Sequence, residues 1–132
     1  MVRPQSGHPT ELELRILKIL WRHSPRPVSE VRDALWQQGR KRAHTSVITT
    51  LNTMVRKKYV RRVKAGRAFL FSPRVAESDV SRRILADVVN RVFDGSARAV
   101  LLSLFDHRAV DSDELKELRR LISQKVKDQT QT

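Results

Sequence analysis

Residues 44–58 read HTSVITTLNTMVRKK, and the reading of this stretch decides the fold. Wound as a helix, it gathers Val47, Ile48, Leu51, Met54 and Val55 on one arc and sets Ser46, Thr49, Thr50, Thr53 and Lys57 on the other. The first arc calls for a core. The second offers small hydroxyls and a cation, with Thr45, Asn52 and Arg56 along its edge and no carboxylate. Such a face can approach a polyanion without repulsion and lets the helix backbone come close to base edges and phosphates. An ordinary solvated helix would mix Glu with Lys. The stretch reads as a DNA recognition helix.

Upstream, Thr10 followed by Glu13 forms a capping-box pattern ahead of an apolar stripe built on Leu12, Ile16, Ile19 and Leu20, which predicts a helix to about His23. Pro25 and Pro27 then interrupt the chain. A second helix is predicted over residues 29–38, with Val31, Ala34 and Leu35 inward and Gly39 as its stop. A basic link of Arg40, Lys41 and Arg42 leads into the recognition helix, which makes the pair a helix-turn-helix.

Downstream the period shortens from helical to alternating. Residues 59–73 read as a β-hairpin turning at Ala65 and Gly66 and ending at Pro73. A hairpin directly after a helix-turn-helix is the wing of a winged helix, with Lys64 and Arg67 at its tip facing the phosphate backbone. A merely solubilising hairpin is the blander reading. The five cations Arg61, Arg62, Lys64, Arg67 and Arg74, with no acid among them, argue against it.

Helical periodicity returns at Ser78 and runs to the Asp94-Gly95 stop, then over residues 97–105 and 112–127. Ile84, Val88, Val92, Leu101, Leu104, Leu115, Leu118 and Ile122 fall on apolar faces that a short linear appendage cannot cover by itself, so a second copy of the chain is the expected partner. Packing back onto the winged helix is the competing arrangement. The expected fold is mainly α with a small β-hairpin wing. It divides into a flexible tail at 1–9, a winged helix-turn-helix domain at 10–74, a helical dimerisation domain at 75–128 and a second flexible tail at 129–132.

Charge divides the chain in the same way. Of a net charge of +13, residues 1–74 carry 17 Lys and Arg against 4 Asp and Glu, and residues 75–132 carry 10 against 10. A basic module thus precedes a neutral one, which fits nucleic-acid binding joined to a separate task. There is no cysteine, so disulfides and thiolate chemistry are excluded. No apolar run is long enough to span a bilayer and the first residues contain no signal core, so a cytoplasmic protein without membrane insertion is expected. His8, His23, His44 and His107 show no metal-ligand spacing, and neither a phosphate-binding glycine loop nor a nucleophile signature occurs. No cofactor, metal or enzyme activity is expected.

Four segments carry a resemblance when taken in order: LELRILKILW at 12–21, HTSVITTLNTMVRKKYVRR at 44–62, GRAFLFSP at 66–73 and DELKELRRLI at 113–122. Together they resemble the penicillinase-repressor (BlaI/MecI-type) transcriptional regulators over about residues 10–125. The resemblance implies a homodimeric winged-helix repressor on a palindromic double-stranded DNA operator. It also implies release when a membrane-bound sensor protease, acting indirectly, leads to cleavage of the appendage. Relatives that answer β-lactams are cut at an Asn-Phe bond, and the matching positions here are Ser103 and Leu104. Copper-responsive relatives carry C-terminal cysteines, which this chain lacks. Two other readings stay open in the sequence: a ligand-responsive winged-helix regulator, and a nonspecific architectural or RNA-binding basic protein with no preferred sequence.

Overall fold

The computed structural model describes residues 7–107 and 109–131. Its elements follow in the order α1 (Glu11–Arg22), β1 (Arg26–Pro27), α2 (Val28–Gln37), α3 (His44–Arg56), β2 (Val60–Ala65), β3 (Ala68–Pro73), α4 (Glu77–Val92), α5 (Ala97–His107) and α6 (Ser112–Thr130). The mainly helical fold with a small hairpin wing is as the sequence predicts. The chain divides into two compact units, Met1–Ala86 and Asp87–Thr132, so the first includes the opening turns of α4. The tail expected at 1–9 falls mostly outside the described residues, as does residue 132 of the tail expected at 129–132. The latter expectation needs correction at its start. Helix α6 continues to Thr130, whose hydroxyl bonds back to the carbonyls of Val126 and Lys127 at 3.1 and 3.0 Å.

The first unit is organised by its helix ends. Thr10 caps α1 through a full capping box: its hydroxyl accepts from Glu13 N at 3.2 Å while the Glu13 carboxylate accepts from Thr10 N at 2.8 Å. Helix α2 ends in a Schellman turn, with Gly39 at φ +76° and Arg40 N donating to Leu35 O at 2.9 Å. Helix α3 ends the same way, Tyr59 N donating to Met54 O at 2.9 Å, but the left-handed position is held by Lys58 at φ +69°. A lysine there bears a steric cost of about 1 kcal/mol that glycine would avoid.

The sheet has the order β1-β3-β2, with every pairing antiparallel. In the wing, Val60 pairs with Pro73 and Ala65 with Ala68, so the two-residue turn is Gly66 and Arg67, one residue later than the expected Ala65 and Gly66, because Ala65 stays in the ladder. Gly66 takes φ +64°, open to glycine and needed for a turn that follows the strand twist. Strand β1 has no counterpart in the sequence reading, where residues 24–27 appear only as a break. Arg26 and Pro27 pair with Phe71 and Leu70 as a short edge strand, the place in a sheet where proline is tolerated.

Helices α1, α2 and α3 close over the sheet around Ile16, Leu17, Leu20, Val31, Leu35, Val47, Leu51, Met54, Val60 and Phe71. The inward arc foreseen for α3 is therefore correct: Val47, Leu51 and Met54 are buried, and Ile48 and Val55 half-buried. The indole N–H of Trp21 donates to Val75 O at 2.8 Å, and Arg74 N donates to Tyr59 O at 2.9 Å, which tie the foot of the wing to α1.

The second unit consists of helix. Asp111 caps α6 by accepting from Glu114 N at 2.8 Å, with Asp113 and Glu114 in the first turn and Lys127 in the last, as the helix dipole favours. Among its described residues none is buried.

Candidate nucleic-acid interface

The outward face of α3 is what its sequence predicts. Thr45, Ser46 and Thr49 are exposed, Thr50 and Thr53 half-buried, and Thr45, Ser46, Thr49 and Thr50 line one shallow open depression. The Thr50 hydroxyl donates to Ser46 O at 2.8 Å, so its proton is engaged within the helix and its lone pairs face outward as acceptors. Arg56 continues the exposed face, and Lys64 and Arg67 are exposed on the wing.

The cations of the interface are placed in different ways. Arg40 Nη1 lies 3.0 Å from Glu11 Oε1, an exposed pair that tethers the link to the start of α1. Lys41 lies over the Trp36 ring, 5.3 Å from its centroid, and Arg42 offers its carbonyl to the Trp36 indole N–H at 2.9 Å.

Lys57 is exposed, as expected of an outward cation, and is also paired. Its ammonium bonds both oxygens of Glu13, at 3.2 and 3.0 Å, and the Glu13 side chain is 3 % exposed. Glu13 is thereby the shared partner of the α1 cap and the α3 terminus. A carboxylate this deep needs a counter-charge, which Lys57 supplies while its own side chain stays 31 % exposed.

Two contributors were passed over as site residues. Arg62 on β2 donates from Nη1 to Asn52 Oδ1 on α3 at 2.7 Å, and its guanidinium lies 4.7 Å from the Phe69 ring centroid. This contact fixes the wing against the recognition helix. Asn52 stood at the edge of the α3 polar arc and Arg62 among the wing cations, but nothing in the spacing indicated that they meet. Arg62, Asn52 and Phe69 line a groove of about 450 Å³ together with Val28, Ile48, Phe71 and Arg67.

The residues expected to dimerise lie on α4, α5 and α6. Ile84, Leu101 and Leu118 are half-buried, whereas Val88, Val92, Leu104, Leu115 and Ile122 are exposed, Val92 at 66 %. Leu102, Phe105, Leu121 and Val126 are exposed as well and belong with them on chemical grounds. Ser103 and Leu104 lie inside α5. Among the described residues no cluster of metal-ligating side chains occurs, and no helix is long and apolar enough to cross a membrane.

Over 115 residues the chain is 24% identical to the penicillinase repressor of Bacillus licheniformis, covering 87% of this chain and 89% of that one. Over another 115-residue alignment it is 29% identical to the transcriptional regulator BlaI of Mycobacterium tuberculosis (strain CDC 1551 / Oshkosh), covering 86% and 82% of the two chains. The solution structure of the DNA binding domain of the repressor BlaI aligns with 58% of this chain and 93% of its own, at 26% identity and a TM-score of 0.49. The family described as penicillinase repressor matches residues 9–124, and the chain accordingly belongs to the penicillinase-repressor family.

Proposed function

We propose that this protein is a transcriptional repressor, not an enzyme, that binds a double-stranded DNA operator as a homodimer in the cytoplasm. The observation that carries the reading is the acid-free exposed surface shared by α3 and the wing, in a member of a repressor family. Arg40, Lys41, Arg42, Arg56, Lys64 and Arg67 contact phosphates, while Thr45, Ser46, Thr49, Thr50 and Thr53 meet base edges. Lys57, engaged by Glu13, supports the helix from behind. The exposed apolar side chains of residues 87–131 support pairing with a second copy, which makes the operator a two-fold repeat with half-sites about 34 to 36 Å apart.

Release follows from cutting the appendage near Ser103 and Leu104, downstream of a membrane-bound sensor protease. Because that bond lies within α5, the helix must open locally before a protease can hold it in extended form. The test is selection of bound DNA fragments, followed by affinity for the full site, for one half-site and for a site respaced by half a turn. The full site should bind far more tightly than either variant. Equal affinity for a half-site and the full repeat would reject the two-fold reading, and failure to select any sequence would favour a nonspecific basic protein.

The groove between the wing and α3 favours one second reading, a ligand-responsive regulator. Its lining is mostly apolar and includes the cations Arg62 and Arg67, so a small amphipathic anion would suit it and would compete with DNA for the same surface. A thermal-shift screen of such compounds, with any hit tested for operator displacement, decides between the readings.

A further inference from the structure

Trp36 lies in the last turn of α2 with 41 % of its surface open, away from the core. Its ring and indole N–H meet the basic link and a neighbouring arginine. The indole N–H donates to Arg42 O at 2.9 Å, Lys41 Nζ stands 5.3 Å from the ring centroid, and the Arg32 guanidinium stands 5.2 Å from it. Arg32, also bonded to Asp33, places Nη1 3.0 Å from Nδ1 of His44, the first residue of α3. One side chain on α2 therefore holds the middle and the end of the basic link and, through Arg32, the first turn of the recognition helix.

We infer that Trp36 is a positioning residue for operator binding, holding the link of Arg40, Lys41 and Arg42 in the conformation in which it meets the phosphates. The inference rests on the proposed phosphate contact of Lys41. The chemistry of the holder matters. A carboxylate at this position would grip the same cations but cancel their field toward DNA, whereas an aromatic face attracts them through its quadrupole and leaves their charge intact. Tryptophan has the strongest such face among the aromatic side chains, and its N–H also occupies a backbone carbonyl of the link, which phenylalanine cannot do. A link held in this way does not have to be ordered when DNA arrives, so the holder contributes to affinity without touching DNA.

The experiment measures operator affinity across a range of salt for the full-length chain and for Trp36→Phe, Trp36→Leu, Lys41→Gln and the double variant Trp36→Leu/Lys41→Gln. Loss of the indole hydrogen bond and the ring contacts in Trp36→Leu should weaken binding by about tenfold. The salt slope should fall by up to about one unit as Lys41 loses its fixed place. Trp36→Phe, which keeps a ring for the cations, should recover part of the loss. In the Lys41→Gln background the same Trp36→Leu change should cost clearly less, a non-additivity that a general structural defect would not produce.

Unchanged affinity of Trp36→Leu, Trp36→Phe binding no better than Trp36→Leu, or equal losses in both backgrounds would each overturn the inference. Circular dichroism checks helix content. If Trp36→Leu fails to fold, Trp36→Phe takes its place, with an intermediate loss that shrinks in the Lys41→Gln background supporting the inference and an unchanged affinity rejecting it. A Lys41→Gln variant that binds like the parent chain removes the phosphate reading and the inference together, whereas weakening by Lys41→Gln alone removes only the inference.

Discussion

Eleven side chains of the first unit, from Ile16 to Phe71, are closed to solvent down to 4 % exposure or less, whereas no described residue between 87 and 131 is buried. The two regions use similar side chains. Leu, Ile and Val recur in both, yet Val92, Leu121, Ile122 and Val126 are all more than half exposed. One region has a sheet and three helices to close around its apolar stripe; the other has helices whose stripes meet water. Area left open in this way is area available to another surface, and it supports the proposed pairing through a half of the chain that carries no net charge.

The most severe way to break the comparison is to remove most of the second region. A chain of residues 1–103 should keep the helix and hairpin signals of the winged helix and lose its partner. Operator affinity should then fall by roughly 10²- to 10⁴-fold, because the second half-site stops being an intramolecular event. Sedimentation and binding measurements check this, and a truncated chain that stays dimeric would show that α6 and the end of α5 are not the pairing surface. Next in size is Leu51→Ala in the closed core, expected to cost about 2 to 5 kcal/mol in urea unfolding through the cavity it leaves.

Lys57→Met tests whether that lysine belongs to the core or to the DNA face. Leaving the Glu13 carboxylate without its partner should cost about 2 kcal/mol, below the range for fully buried pairs because the lysine side chain is 31 % exposed. Unfolding should move while the salt slope of DNA binding stays put; the opposite result would return Lys57 to the phosphate contacts. The smallest effects lie on the surface. Thr49→Ala should change sequence preference by about 1 kcal/mol at one base position, and Arg67→Ala should weaken all sequences alike while lowering the salt slope by about one unit. Competition assays on matched and mismatched operators separate the two.

What the sequence made legible follows from the range of its signals. The arcs of α3 depend on neighbours three and four residues apart, and the wing turn on Gly66, so local pattern was enough. Strand β1 was hidden because its two residues, one of them proline, form a strand only when β3 lies beside them. The α3 terminus was misplaced by two residues because Lys58 takes a conformation that glycine usually announces. The pairing of Lys57 with Glu13 and the meeting of Arg62 with Asn52 reach across 44 and 10 residues, which no periodicity encodes. The extension of α6 to Thr130 escaped notice because its last turn is polar and carries no apolar mark.

On the proposed reading of α3 as the recognition helix, the bond between Glu13 and Lys57 makes it a lever held at its far end. With 13 residues, α3 is about 20 Å long. A tilt of about 5° at the Lys57 end would carry Thr45 and Ser46 by between 1 and 2 Å, enough to lose a hydrogen bond to a base edge. On the proposed reading, aim at the DNA is therefore set partly by a carboxylate buried at the start of α1. A conservative change at Glu13 that leaves the fold intact would then register in a genetic screen as altered operator choice, and so pass for a DNA-contact mutant.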